Sequence, residues 1–338
     1  MQIGITGYGA YVPSYRIRIS DIAKVWGKNS LDIEKSLRLT EKAVASSTED
    51  SLTMAFEASQ MALRNIKMDI GALFFGTESP PYAVNPASTI LGEMLGVGNH
   101  YLAYDTQFAC KAGTGALISA LGLIKSNEIK QALVVASDKA TGRPHDALEY
   151  TAGSGSVALV LGSEDPIATI EAWSSYSSDT PDFWRREGIR YPSHGGRFTG
   201  KPSYFRHILG SVQSLLKKTN LSPSQFDFAV FHMPNGAFPV QIAKQLGFNA
   251  AQIEKSLVVS TLGNSYTASG LMGLVATLEY ANPGDRILFA SYGSGAGSDA
   301  FSLRVTNYIV KKRILFSALI SQKTYIDYPT YLKFMHII

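Results

Sequence analysis

The chain is predicted to fold as an α/β protein built from one strand–helix–strand unit used twice. Three observations carry this. Apolar runs of strand length alternate with apolar runs of helix length. The same order of runs occurs in each half of the chain. Glycine outnumbers proline 30 to 14, which fits tight strand-to-helix turns and not a proline-rich extended chain.

The elements follow in order. Residues 1–9 (MQIGITGYG) read as a strand entering a turn. Residues 72–75 form a short apolar strand that ends at GTE. Residues 102–109 are strand-like and run into Cys110, and a helix begins near Lys111, with its apolar body at 116–124. Residues 131–137 (QALVVAS) and 156–161 (SVALVL) are buried strands. The order then returns. Residues 228–231 (FAVF) are a strand, 270–280 a helix, and 286–291 and 300–305 strands. Residues 115–137 align with 270–291 with a single one-residue gap. This is an internal duplication of about 150 residues. The halves are expected at 1–165 and 166–338.

Composition bounds the function. At 338 residues and 45% hydrophobic, the chain has material for a core of two domains, or one duplicated domain, and is not a disordered chain. One cysteine, Cys110, permits neither an intrachain disulfide nor a cysteine-built zinc cluster, and suits a reducing, cytoplasmic compartment. The net charge is +4, with 31 basic and 27 acidic residues interleaved, so no basic arm points to nucleic acid. No apolar run approaches the ~20 residues of a membrane span, and the first residues lack the order of a signal peptide. Neither HxxxH nor HExxH occurs, so no metal site is expected.

The duplication places the reactive side chains. The first strand of each repeat runs into a polar residue, Glu78 in one and His232 in the other. The turn before each long helix holds Cys110 in the first half and Asn264-Ser265 in the second. Strand carboxyl ends are where α/β folds build sites. A thiol at a helix start should have a lowered pKa. Gly113 and Gly115 should let a backbone or ligand approach. Glu78, at an apolar strand end, should be desolvated, with its pKa raised toward the range of a general base. The turn GSGAGSD (293–299) lacks a dinucleotide-binding context. It fits better as a source of backbone N–H groups for a reacting carbonyl.

Together these residues resemble the thiolase superfamily, and within it the archaeal type of hydroxymethylglutaryl-CoA (HMG-CoA) synthase. The motifs are GYGAYVP (7–13), GTES (76–79), FACKAGT (108–114), DALEYTAGSGS (146–156), DFWR (182–185), FHMPNG (231–236), GNSYTAS (263–269) and YGSGAGSDAF (292–301), with the tail KTYIDYPTYLKF (323–334). The resemblance implies a thiolase-like fold, layered α-β-α-β-α, with two pseudo-equivalent halves. It implies condensation of acetyl-CoA with acetoacetyl-CoA and water to give HMG-CoA, in the mevalonate route to isoprenoids. Cys110 would be the nucleophile, Glu78 the general base and His232 the group that holds the acetoacetyl ketone. Asn29, Thr151, Thr199, Asn264 and Ser294 match substrate-contact positions. No separate cofactor is implied, since the CoA thioesters are substrates. A homodimer is implied, as is a complex with acetoacetyl-CoA thiolase and a zinc-ribbon bridging protein. Two positions depart from the pattern. Ala237 stands where relatives carry a CoA-pairing lysine, and Asn29 where they carry an acid. Cys110, His232 and Asn264 would also serve an initiating β-ketoacyl-ACP synthase, though Glu78 argues against it. A non-catalytic CoA-binding scaffold is the other alternative.

Overall fold

The structure is a computed structural model that describes residues 2–338. Met1, the first residue of the predicted N-terminal strand, lies outside the described residues. That strand runs Gly4–Tyr11. Nine strands form one continuous sheet. On one side lie Leu102–Thr106, Ile70–Gly76, Gln131–Lys139, Ser154–Gly162 and Gly4–Tyr11, in that spatial order. On the other side lie Ala168–Ser177, Gly297–Val305, Arg286–Ala290 and Phe228–Phe231. The two sides join where Gly4–Tyr11 meets Ala168–Ser177 in a two-residue antiparallel contact.

The side-chain alternation of the strands separates three layers of apolar packing. Ala72, Phe74, Val134, Leu159, Ile287 and Phe289 point into a central cluster. That cluster is filled by the helices Ala112–Lys125 and Ser269–Leu278, the two long helices of the repeat. Leu73, Phe75, Val135 and Val160 face the other way, onto the helices Ser51–Ala62 and Ala87–Leu95. Ala229, Phe231, Leu288 and Ala290 face the helices Arg206–Thr219 and Ala237–Leu246. The result is helix, sheet, helix, sheet, helix, with the predicted repeat related across the central pair.

The predicted elements reappear with shifted ends: the strand-like run 102–109 is a strand only over Leu102–Thr106, and the helix 270–280 and strand 286–291 stop at Leu278 and Ala290. The 116–124 helix begins at Ala112, and the 131–137 strand continues through Asp138 to Lys139. The strand Ala168–Ser177 carried no sequence signal, because ATIEAWSSYS has no apolar run. Its pairing with Gly297–Val305 defines it. The predicted role of the two glycines holds for one of them. A side chain on Gly113 would meet Ala136 Cβ at 2.9 Å, whereas Gly115 faces open space.

The tail returns to the N-terminal segment. Thr324–Tyr325 pairs in parallel with Tyr15–Arg16, and Tyr328 and Tyr331 of the helix Tyr328–Phe334 pack with Ile17, Ile22 and Tyr150. No helix among the described residues is long and apolar enough to cross a membrane.

Candidate active site

Cys110 lies between the strand Leu102–Thr106 and the helix Ala112–Lys125. The residue before it, Ala109, takes the left-handed conformation, with φ 47°. An alanine there is strained, and the turn it makes presents Cys110 to a cavity of about 290 Å³. His232, Asn264, Thr151, Thr199 and Ser294 line the same cavity. Each arrives from a different element. His232 follows the strand Phe228–Phe231. Thr151 ends the short helix Ala147–Thr151, and Thr199 opens a π-helical turn, Thr199–Phe205.

Asn264 ties the two halves together beside the cavity. Its backbone N–H donates to Thr151 O at 2.7 Å, and its carbonyl accepts from Gly153 N at 2.9 Å. Its side chain accepts from Tyr266 N at 3.0 Å. Asn29 is not brought to this cavity. It is exposed and caps the helix Ser30–Leu37 by accepting from Leu31 N at 3.0 Å.

Glu78 approaches Cys110 from an adjoining cavity that shares Phe183, Tyr266 and Ser294 with the first. Its Oε1 is buried without a partner. Burial, reinforced by the negative charge of Asp138, pushes its carboxyl up to about 8, while Cys110 and Arg185 pull in the other direction. The predicted rise is therefore present. The expected fall in the Cys110 pKa is not. Burial raises the thiol well above its ordinary value, and Glu78, Asp138 and Asp182 add to the rise. The helix starts two residues beyond Cys110, so its dipole is set against desolvation and three nearby carboxyl groups, and desolvation wins. His232 is buried, and burial lowers its imidazole to about 3, so the ring is neutral at working pH. Tyr204 OH donates to its carbonyl at 2.6 Å, and its own N–H donates to Ala290 O at 2.9 Å.

Two carboxylates that the sequence reading did not single out organise the site. Asp138 Oδ1 accepts from Glu78 N at 2.8 Å, Ser79 Oγ at 2.6 Å and Thr77 Oγ1 at 3.0 Å. Its Oδ2 accepts from Thr267 N at 2.9 Å and Thr267 Oγ1 at 2.7 Å. One buried side chain thus fixes the Glu78 loop of one half to the Asn264 turn of the other. The signal was its place just past QALVVAS, a strand end like that of Glu78. Asp182, the first residue of DFWR, accepts from Tyr292 OH at 2.5 Å and from Gly295 N at 2.7 Å. It anchors the glycine-rich turn, and nothing local in the sequence announces this. That turn lies hard against the Cys110 corner: a Cβ on Gly293 would stand 2.6 Å from Phe108 O and 2.8 Å from Lys111 Cγ.

The chain is similar to known proteins. Residues 1–166 match the family model described as hydroxymethylglutaryl-coenzyme A synthase N terminal, and residues 216–305 match 3-oxoacyl-[acyl-carrier-protein] synthase III C terminal. The chain is 50% identical to a hydroxymethylglutaryl-CoA synthase of Archaeoglobus fulgidus, over 98% of both chains. It is 49% identical to one of Methanopyrus kandleri, over 98% of this chain and 97% of that one. Its fold matches a structure of MvaS in complex with 3-hydroxy-3-methylglutaryl coenzyme A with a TM-score of 0.92, at 25% identity, covering 99% of this chain and 91% of that one. Fold and site define the class, a thiolase-fold condensing enzyme. With half its residues identical to such relatives over nearly its whole length, the chain belongs to the hydroxymethylglutaryl-CoA synthase family.

Proposed function

We propose that this enzyme forms HMG-CoA from acetyl-CoA, acetoacetyl-CoA and water through an acetyl-Cys110 intermediate. The observation that carries the reading is the meeting of Glu78 with Cys110 on one side, and of His232 and Asn264 with Cys110 on the other. The acetyl carbon forms its bond to Cys110 Sγ as its bond to the CoA sulfur breaks, and the thiol proton ends on the departing CoA. Because burial keeps the thiol protonated, the cysteine stays protected until a thioester is in place.

Glu78, once ionised, removes a methyl proton from the acetyl group. The resulting enolate carbon attacks the ketone carbon of acetoacetyl-CoA. Neutral His232 donates an N–H to the ketone oxygen, where the alkoxide develops. The buried, unpaired Oε1 of Glu78 suits a carboxylate whose partner is the transferred proton. Water then cleaves the thioester and restores Cys110.

Thr151, Thr199 and Asn264 contact the substrate from the cavity walls. Ser294 offers its backbone N–H, since those of Gly293, Gly295, Ala296 and Gly297 are already bonded within the protein. The halves 1–165 and 166–338 contribute Glu78 and Cys110, and His232 and Asn264, respectively. The product feeds the mevalonate route in the cytoplasm. The enzyme works as a homodimer, and a complex with acetoacetyl-CoA thiolase and a zinc-ribbon protein would shorten the path of acetoacetyl-CoA.

The test is intact-protein mass spectrometry. Acetyl-CoA alone should leave an acetyl group on Cys110. Adding acetoacetyl-CoA should discharge it and yield HMG-CoA. Discharge by malonyl-ACP in place of acetoacetyl-CoA would replace this reading with that of a β-ketoacyl-ACP synthase. Absence of any acetyl-enzyme would leave the scaffold.

A further inference from the structure

Two cavities adjoin beside Cys110: they share Phe183, Tyr266 and Ser294, Cys110 lines the first, and the second reaches its neighbour Ala109. The second has a volume of about 460 Å³ and opens beside Glu78. It carries two guanidinium groups, Arg185 and Arg190, and one carboxyl group, Glu78. Arg190 is turned toward the tail, where its Nη2 donates to Met335 O and its guanidinium lies over the Tyr191 ring at 5.4 Å. Arg185 spends one N–H on the Glu78 carbonyl, at 3.0 Å. A guanidinium has five N–H donors, and Arg185 makes no ion pair with a carboxylate among the described residues. The Glu78 carboxyl is protonated through the neutral range, so the cavity carries net positive charge beside the Glu78–Cys110 pair. Its walls lack the anion that such a charge would hold.

We propose that this second cavity is a carboxylate subsite in which Arg185 receives the carboxylate released when water cleaves the thioester on Cys110. The proposal rests on the reading given under Proposed function. In that step the water oxygen bonds to the thioester carbonyl carbon and the C–S bond breaks. Sγ takes one proton, and the other leaves as the new acid ionises. The carboxylate therefore appears at Cys110, with the CoA chain of the same molecule still in the first cavity. The second cavity is the free side. The planar fork of an arginine matches a carboxylate through two parallel N–H bonds. Because Arg185 is exposed, the pairing is screened and the product can leave.

The probe is glutarate, a diacid without CoA, titrated calorimetrically into the full-length enzyme. The parent should bind it, and Arg185→Gln should weaken that binding at least tenfold while the affinity for CoA and the melting temperature stay unchanged. Arg185→Lys, which keeps the charge but not the fork, should fall between the two. Equal glutarate affinity in parent and Arg185→Gln, no glutarate binding by the parent, or equal losses of glutarate and CoA binding would each overturn the subsite. Acetylation of Cys110 in the parent is measured separately. A parent that acetylates but shows one of these three results loses the subsite alone. A parent that never acetylates loses the proposed function, and the glutarate comparison still decides whether the cavity holds a carboxylate.

Discussion

Cys110 and Glu78 hold their protons for the same reason, which is that each is buried facing the other. Cys110→Ala should abolish acetylation by acetyl-CoA and leave the fold intact, because a buried thiol contributes packing that a methyl group largely replaces. Acetyl label on this variant would disprove the nucleophile. Glu78→Ala should still acetylate but should condense about 10²–10⁴-fold more slowly. Since Glu78 must be ionised to act, condensation should rise tenfold per pH unit up to about pH 8 and then level. A flat profile from pH 6 to 9 would remove it as the base.

The same shift has a stability consequence of opposite sense. The Glu78 pKa in the folded protein, about 8, lies above its ordinary value of 4.5. Between these limits the unfolded chain is ionised and the folded one is not, so folding loses stability as pH rises through that window. Glu78→Gln removes the penalty. It should stabilise the protein by about 1–3 kcal/mol at pH 8 and by little at pH 5. Urea denaturation at the two pH values measures the difference.

Short elements hold the cavity walls, and one of them depends on the far end of the chain. The helix Ala147–Thr151 carries Thr151 into the cavity and Glu149 away from it. Glu149 is fully buried. It accepts from Tyr328 OH at 2.7 Å, Trp26 Nε1 at 2.9 Å and His145 N at 2.7 Å. The wall is thus fastened to the tail helix and to the N-terminal segment. Tyr328→Phe leaves one carboxylate oxygen without its donor, which costs about 1–3 kcal/mol. The prediction is a lower denaturation midpoint and a raised KM for CoA substrates, with kcat changed less. A variant with parental KM and midpoint would show that the tail does not brace the wall.

Across the whole molecule, a buried ion pair joins the halves next to Cys110. Lys111 Nζ lies 2.8 Å from Asp299 Oδ1, and both side chains are buried. Asp299 also accepts from Thr114 Oγ1 at 2.7 Å and Ser175 Oγ at 2.6 Å. Breaking such a pair from one side leaves a buried charge alone and costs about 3–5 kcal/mol. Lys111→Met and Asp299→Asn should each destabilise by that order. The double variant should recover about 1–3 kcal/mol of their sum. Strict additivity in denaturant melts would mean that the two groups do not sense each other.

By itself the sequence determined the repeated order of elements, the approximate place of the strands and the candidate reactive side chains. These follow from local apolar periodicity and from the single thiol, both of which are properties of contiguous residues. Glu78, Cys110, His232 and Asn264 could be picked out because each stands at the end of an apolar run. Tertiary structure alone decided the rest. Asp138 and Asp182 become organisers only when loops more than 100 residues apart meet around them. Asn29 proved to be a helix cap, because its neighbours hold it at the surface. The Cys110 pKa moved opposite to the local expectation. A helix start is visible in sequence, but burial and the carboxyl groups of Glu78, Asp138 and Asp182 gather around a thiol only in space. Desolvation depends on everything that surrounds a group, and most of what surrounds Cys110 comes from elsewhere in the chain.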